Sequence, residues 1–301
     1  MDEKIMNKID INTLLQTYSN ECENYIDSIL PTIFTGQEII INSIRYSLFA
    51  GGKRIRPSLV YEFCSACEKD YKIANPLAAA VEMIHTYSLI HDDLPCMDND
   101  DFRRGKPSNH KVFGETLALL AGDGLLNIAF ETALKNTTQI NEKNLLRAIK
   151  CLSNYSGICG MIGGQIIDLE SENKKIDENT LNNIHNLKTA ALIKASCEMG
   201  CIVGDGNENQ IKAAREYGRC IGLVFQIIDD VLDITSTKEV LGKPIKSDEE
   251  SGKTTFVNLY GVEKSIEIAK QTTAEAIDYL SVFKNKDNLV NLANFLLKRK
   301  S

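Results

Sequence analysis

Apolar residues recur on most helical turns along Leu77–Leu94, Thr116–Lys135, Leu145–Cys159, Thr180–Gly200 and Gln210–Ile234, the period expected of helices. Several stretches are apolar nearly all round, Ala118-Leu119-Leu120-Ala121 among them. Such stretches predict helices buried within a bundle rather than lying on its surface. Strand-like alternation is scarce. Turns are predicted at Gly51-Gly52, Asn75-Pro76, Gly105-Lys106-Pro107, Asp205-Gly206 and Gly242-Lys243-Pro244. Residues 70–75 and 136–144 read as polar connectors. No repeat or linker divides the chain, so residues 1–301 are expected to form one all-α bundle of roughly ten or more helices.

Composition refines this picture. The chain has 301 residues, 43% hydrophobic and 25% charged, enough for a substantial core in a soluble globular protein. Its net charge of −7 argues against a general nucleic-acid binder, which needs a basic surface. No apolar run reaches membrane-span length, and Met1-Asp2-Glu3-Lys4 lacks a signal peptide's apolar core. The expectation is a cytoplasmic protein without stable membrane insertion. Nine cysteines, scattered through helical segments, predict reduced core thiols. Cys64-x-x-Cys67 lacks the second pair that a zinc site needs.

Two acidic clusters carry the candidate chemistry. Asp229, Asp230 and Asp233 close the apolar helix Ile221–Ile234, and the spacing of four puts Asp229 and Asp233 on one face. Parallel carboxylates in an apolar setting are costly unless a cation sits between them. An all-oxygen site suits magnesium, which shares its shell with water and phosphate. Asp92 and Asp93 likewise end the apolar helix Val81–Leu94, and Pro95 breaks it. That break is expected to return Asp98, with Asp100 and Asp101, to the same mouth. A solvated helix end accounts for either cluster alone. Two of them, each opposing a helix dipole, favour a functional reason.

Cations stand nearby in sequence. Arg103 and Arg104 follow the first cluster, and Lys53, Arg54 and Arg56 precede a helix with Pro57 in its first turn. Forked donors and free amides at a helix start suit a diphosphate. Lys188, Thr189, Gln226, Lys243 and Lys253 are further candidates that spacing alone does not single out. His85, seven residues before Asp92, suits either helix packing or a ligand contact.

These residues resemble the trans-type (head-to-tail) isoprenyl diphosphate synthases. Residues 82–105, containing Asp92-Asp93-Leu94-Pro95-Cys96-Met97-Asp98, look like the family's first aspartate-rich motif and its surroundings. Gly51-Gly52-Lys53-Arg54-Ile55-Arg56-Pro57 resembles its basic motif. Gly163-Gly164-Gln165-x-x-Asp168, Lys188-Thr189 and Phe225–Asp233 match later ones, in the right order. The resemblance implies the isoprenoid-synthase fold, with a central active-site cavity, and the joining of an allylic diphosphate to isopentenyl diphosphate. It implies that Asp92, Asp98 and Asp229 bind Mg2+, three ions per site, with Asp93 in support and Asp233 acting through water. Arg103, Lys188, Lys243 and Lys253 would clamp the allylic diphosphate; Lys53, Arg56, His85 and Arg104 would hold isopentenyl diphosphate. Thr189 and Gln226 would stabilise the allylic cation. The family also implies a homodimer, with Thr116–Lys135 as a possible interface.

Product length is a finer expectation. Tyr87, five residues before Asp92 and beside Ser88, resembles the pattern of bacterial farnesyl diphosphate synthases, as do two extra residues within the first motif. A C15 product follows, with geranylgeranyl diphosphate synthase as the alternative. An ideal helix puts Tyr87 about 140° from Asp92, so its role as pocket floor comes from the resemblance alone. A non-catalytic subunit of a heteromeric prenyltransferase would lose motif residues that are intact here. A terpene cyclase would not need Lys53, Arg56 and Arg104. Lys298-Arg299-Lys300 is expected to be a solvated tail.

Overall fold

A computed structural model describes residues 10–32, 36–135, 139–235 and 254–299. At its centre are helices with almost no polar face: α3 (Ile55–Ala66), α4 (Asn75–Asp92) and α10 (Ala190–Val203). In α10 every residue except Lys194 is buried. Such a helix is stable only when wrapped by others, which the apolar runs in the sequence predicted. The long α11 (Glu208–Thr235) packs along α10, and α6 (Glu115–Ala133) packs along α4. Leu59, Val60, Leu77, Met83, Ile84, Leu125 and Leu152 are among the fully buried side chains, each contributing roughly 1.5–3 kcal/mol by leaving water.

The outer elements close this core. They are α1 (Ile11–Ile29), α2 (Glu38–Leu48), α5 (Asn109–Phe113), α7 (Glu142–Ser156), α8 (Met161–Ser171), α9 (Glu178–Ile184), α12 (Phe256–Tyr279) and α13 (Asp287–Lys298). Side-chain caps fix several starts: Asp10 for α1, Asn141 for α7, Asp177 for α9 and a Thr255–Asn258 capping box for α12. All nine cysteines are free thiols. No helix among the described residues is long and apolar enough to cross a membrane.

Three local features depart from the sequence expectation. Thr180–Gly200 is not one helix: α9 and α10 are separated by a π-helical turn, His185–Thr189. This turn buries His185, whose ring stacks on Phe256 at 5.4 Å. Residues 70–75 are not a loose connector. Tyr71–Ala74 forms a 3-10 turn capped by Asp70, with Ile73 and Ala74 buried, and Asn75-Pro76 opens α4. A short antiparallel hairpin, β1 (Phe102–Arg103) and β2 (Lys106–Pro107), follows the first acidic cluster. Its turn residues Arg104 and Gly105 both have positive φ, 53° and 75°, the combination a two-residue hairpin turn favours.

Candidate active site

The first acidic cluster is shaped by the end of α4. Asp92 is its last residue and Asp93 its C-cap, two residues short of the expected Leu94. The chain then doubles back, so that the Asp98 amide donates to the Asp92 carbonyl at 2.9 Å. Asp98 does return to the mouth. Burial pushes the Asp92 carboxyl up to about 6; Lys188 pulls against this and Asp98 adds to it. Asp93 is 2% exposed and accepts two bonds from the Arg103 guanidinium, the Nε one at 2.9 Å. Asp100 also binds Arg103, at 3.0 Å. Asp101 does not join them: it pairs with Lys111 at 2.7 Å on the exposed side.

The hairpin explains why two consecutive arginines serve different motifs. Arg103 lies in β1 and Arg104 in its left-handed turn, so their side chains diverge. Arg104 donates to the Gly51 carbonyl and lies over Gly52, where a Cβ would come within 2.8 Å of its Cζ. Arg56 stands at the start of α3, its Nε buried without a hydrogen-bond partner. Burial lowers it to about 10; Glu82 opposes this and Arg104 adds to it. His85 stands among these arginines. Burial, then Arg56, Arg104, Arg54 and Arg103, hold its ring neutral, well below the usual histidine range. Half-buried Arg56, with an unsatisfied donor beside Arg104, is an arrangement that suits an anion. Lys53 is lowered by burial and by Arg299, against the pull of Asp229.

The second acidic cluster closes α11, as expected. Asp233 is buried, and Asp229 is bonded by the Arg299 guanidinium at 2.6 Å. Arg299 also donates to the Phe225 carbonyl at 2.7 Å and lies 3.9 Å over the Phe225 ring. The solvated-tail expectation is therefore corrected at Arg299: its planar group stacks and forks at once, which a solvated side chain gives up.

Asp230, a member of the second cluster to which the sequence assigns no role of its own, gains one from its partners. It is buried, accepts from Gln226 Nε2 at 2.9 Å and from the Phe256 amide at 2.9 Å, and so fixes the Gln226 amide. Gln226 Oε1 in turn accepts from the Thr189 hydroxyl at 3.1 Å. The spacing of four between Gln226 and Asp230 was the available signal.

The π-helical turn presents Lys188 and Thr189 together. Lys188 Nζ bonds Asp168 Oδ2 at 2.6 Å, linking the turn to α8. Gly164 of α8 lies against the turn's backbone, where a Cβ would be 2.1 Å from Lys188 N. Only glycine admits that approach. π-Turns cluster at functional sites because the extra residue redirects side chains.

Electrostatic influence links these groups into a ring. Asp229 acts on Arg56, Arg56 on His85, and His85 shares an α4 face with Asp92. Asp92 feels Lys188, and Thr189 reaches Gln226, less than one turn before Asp229. The ring groups Asp92, Asp98, Arg103 and Lys188 on one side and Lys53, Arg56, His85 and Arg104 on the other. Tyr87 lies outside it, buried, its ring edge-on to His91 at 5.7 Å and its hydroxyl without a partner. The Ser88 hydroxyl donates to the His85 carbonyl at 2.9 Å. Lys243 and Lys253 lie outside the described residues.

Residues 37–293 match the family model described as polyprenyl synthetase. The chain belongs to that family. It is therefore a prenyltransferase of the trans-isoprenyl diphosphate synthase type, with the all-α fold of those enzymes. A polyprenyl synthetase relative, the geranylgeranyl diphosphate synthase of Cyanophora paradoxa, is 44% identical over 98% of this chain and 99% of its own. An FPP/GFPP synthase structure from Zymomonas mobilis superposes with a TM-score of 0.84 at 36% identity, covering 95% of this chain and 98% of the other. The Helicobacter pylori geranyltransferase, complexed with magnesium and isoprenyl diphosphate, also gives 0.84 at 33% identity, covering 95% and 98%.

The family match and the last complex support Mg2+ dependence, and the residues present fit that ion. Among the described residues no three acidic, histidine or cysteine side chains already converge as a metal cage. Magnesium does not need one, since it binds through one or two carboxylates with water and substrate phosphate completing the shell. Asp92 beside Asp98, its carboxyl raised by burial and by that neighbour, is the donor set such a shared site requires.

Proposed function

We propose that this protein is a geranylgeranyl diphosphate synthase, extending an allylic diphosphate with isopentenyl diphosphate to a C20 product. The two-sided ring carries the two-substrate reading. Its cations and carboxylates alternate so that two diphosphates can be held without mutual repulsion deciding the geometry. Asp92, Asp98 and Asp229 would hold the Mg2+ ions, with Asp93 and Asp233 in support. Magnesium, when bound, supplies concentrated positive charge to the departing diphosphate. Arg103 and Lys188 add donors to the same oxygens, as do Lys243 and Lys253 in the sequence pattern. Lys53, Arg56, His85 and Arg104 orient isopentenyl diphosphate.

The allylic carbon–oxygen bond breaks and the electron pair leaves with the diphosphate. The Thr189 hydroxyl and the Gln226 amide, locked in orientation by Asp230, face the resulting cation with preorganised dipoles. The double bond of isopentenyl diphosphate attacks it, and the proton then lost passes to the released diphosphate. No protein nucleophile takes part.

The longer product rests on the geranylgeranyl name of the near-full-length relative. Tyr87 favours a second reading, a farnesyl product, because a buried aromatic below the first cluster shortens the space for the chain. Sizing the product from isopentenyl and dimethylallyl diphosphate separates the two. C20 from the native protein, unchanged in Tyr87→Ala, is expected. C15 that lengthens in Tyr87→Ala makes Tyr87 the ruler and overturns the C20 reading.

A homodimer is also proposed. Val112 on α5 and Leu119 and Leu120 on α6 are 47%, 46% and 49% exposed, an apolar patch of the kind that marks an interface. Sedimentation at micromolar concentration should give twice the 33.5 kDa chain mass; a single-chain mass contradicts it.

A further inference from the structure

Arg54 stands between two residues of the basic cradle yet takes no place in it. Its side chain is fully buried. Nε and NH2 donate to Glu23 Oε1 of α1 at 3.0 and 2.8 Å, and NH1 donates to Glu82 Oε1 of α4 at 2.6 Å. NH2 also donates to the Leu48 carbonyl at the end of α2. One guanidinium thus ties three helices to the start of a fourth, since the Arg54 carbonyl accepts from the Ser58 amide in the first turn of α3 at 3.0 Å.

The backbone shows what this tie enforces. Arg54 is the N-cap of α3 at φ 48° and ψ 40°, a left-handed conformation that a residue with a Cβ adopts only when its surroundings demand it. The preceding Gly51 and Gly52 also have positive φ, 91° and 129°. The loop therefore turns sharply just before the helix, between Lys53 and Arg56. Glu82 lies on α4 one turn before His85, so the same anchor references the cradle to the histidine.

We propose that Arg54 is a positioning residue for the isopentenyl diphosphate side of the site. Its bonds to Glu82, Glu23 and Leu48 hold the left-handed turn that sets where Lys53 and Arg56, on either side of it in sequence, stand. The proposal rests on the reading of Lys53, Arg56, His85 and Arg104 as the isopentenyl diphosphate cradle. It goes beyond that reading because Arg54, Glu23 and Glu82 touch neither substrate. The allylic side, carried by the end of α4, the hairpin and the π-helical turn, receives no hydrogen bond from Arg54.

Steady-state kinetics of Arg54→Lys, Glu23→Gln and Arg56→Ala test it, with melting temperature measured alongside. Lysine keeps the charge but cannot fork among three acceptors, so Arg54→Lys should raise KM for isopentenyl diphosphate about tenfold. KM for the allylic diphosphate should stay within about twofold. Glu23→Gln, part-exposed on the outer helix, should fold normally and shift the same constant about threefold. A lower melting temperature with both KM values unchanged in the two variants reduces Arg54 to a stability role and overturns the proposal. Equal rises in both KM values overturn it too. Arg56→Ala should weaken isopentenyl diphosphate at least as much as Arg54→Lys. If it does not, the cradle reading itself fails, and the positioning role falls with it.

Discussion

Asp92→Asn is expected to remove turnover while making the metal-free protein more stable. The two effects share one cause. Asp92 ends α4, where the helix dipole already presents negative charge, and burial and Asp98 raise its carboxyl to about 6 against an ordinary 3.8. An acid whose pKa is higher in the folded state binds its proton more tightly there. Ionising it therefore costs stability as pH rises from about 4 to about 6, and the cost persists at pH 7. The shift corresponds to about 2 kcal/mol once partial solvent exposure is allowed for. Asparagine keeps the shape and removes that cost, so the melting temperature without magnesium should rise by roughly 2–4 °C. Losing a metal-binding carboxylate should lower kcat/KM about 1,000-fold, near 4 kcal/mol of transition-state stabilisation. Activity within tenfold of the native protein, or a fall in melting temperature, contradicts this assignment.

Arg103→Ala should have the second largest effect, on stability and on one substrate more than the other. It leaves the buried Asp93 without its two-fold donor, and stripping one partner from a buried pair costs about 3–5 kcal/mol. Asp93 is already raised by burial with Arg103 in place; alone it will hold a proton at higher pH. Denaturant unfolding should therefore show a loss that is larger at pH 8 than at pH 5, where a neutral Asp93 is tolerated. KM for the allylic diphosphate should rise more than KM for isopentenyl diphosphate. A loss independent of pH rules out the Asp93 carboxylate as its source.

The helices and most of the ring were legible in the sequence because both follow short-range rules. Apolar repeats gave the buried helices, and the spacing of four linked Asp229 to Asp233. Pro95 foretold the return of Asp98. What stayed hidden depends on contacts distant in sequence. The π-helical turn is set by the glycine contact at Gly164 and by His185 stacking on Phe256, neither visible in a local pattern. The divergence of Arg103 and Arg104 needs a hairpin of two-residue strands, too short for periodicity to reveal. Arg54 read as one more cation because its partners, Glu23 and Glu82, lie 31 and 28 residues away. Arg299 read as tail because Asp229 is 70 residues away.

The proposed function requires one site that holds two diphosphates and joins their chains with magnesium. Incorporation of labelled isopentenyl diphosphate into an extractable prenyl product, primed by dimethylallyl diphosphate, measures it directly. Incorporation is expected with Mg2+, none with excess chelator, and recovery when Mg2+ is restored. No incorporation from folded protein with Mg2+ and both substrates, or incorporation indifferent to chelation, contradicts it.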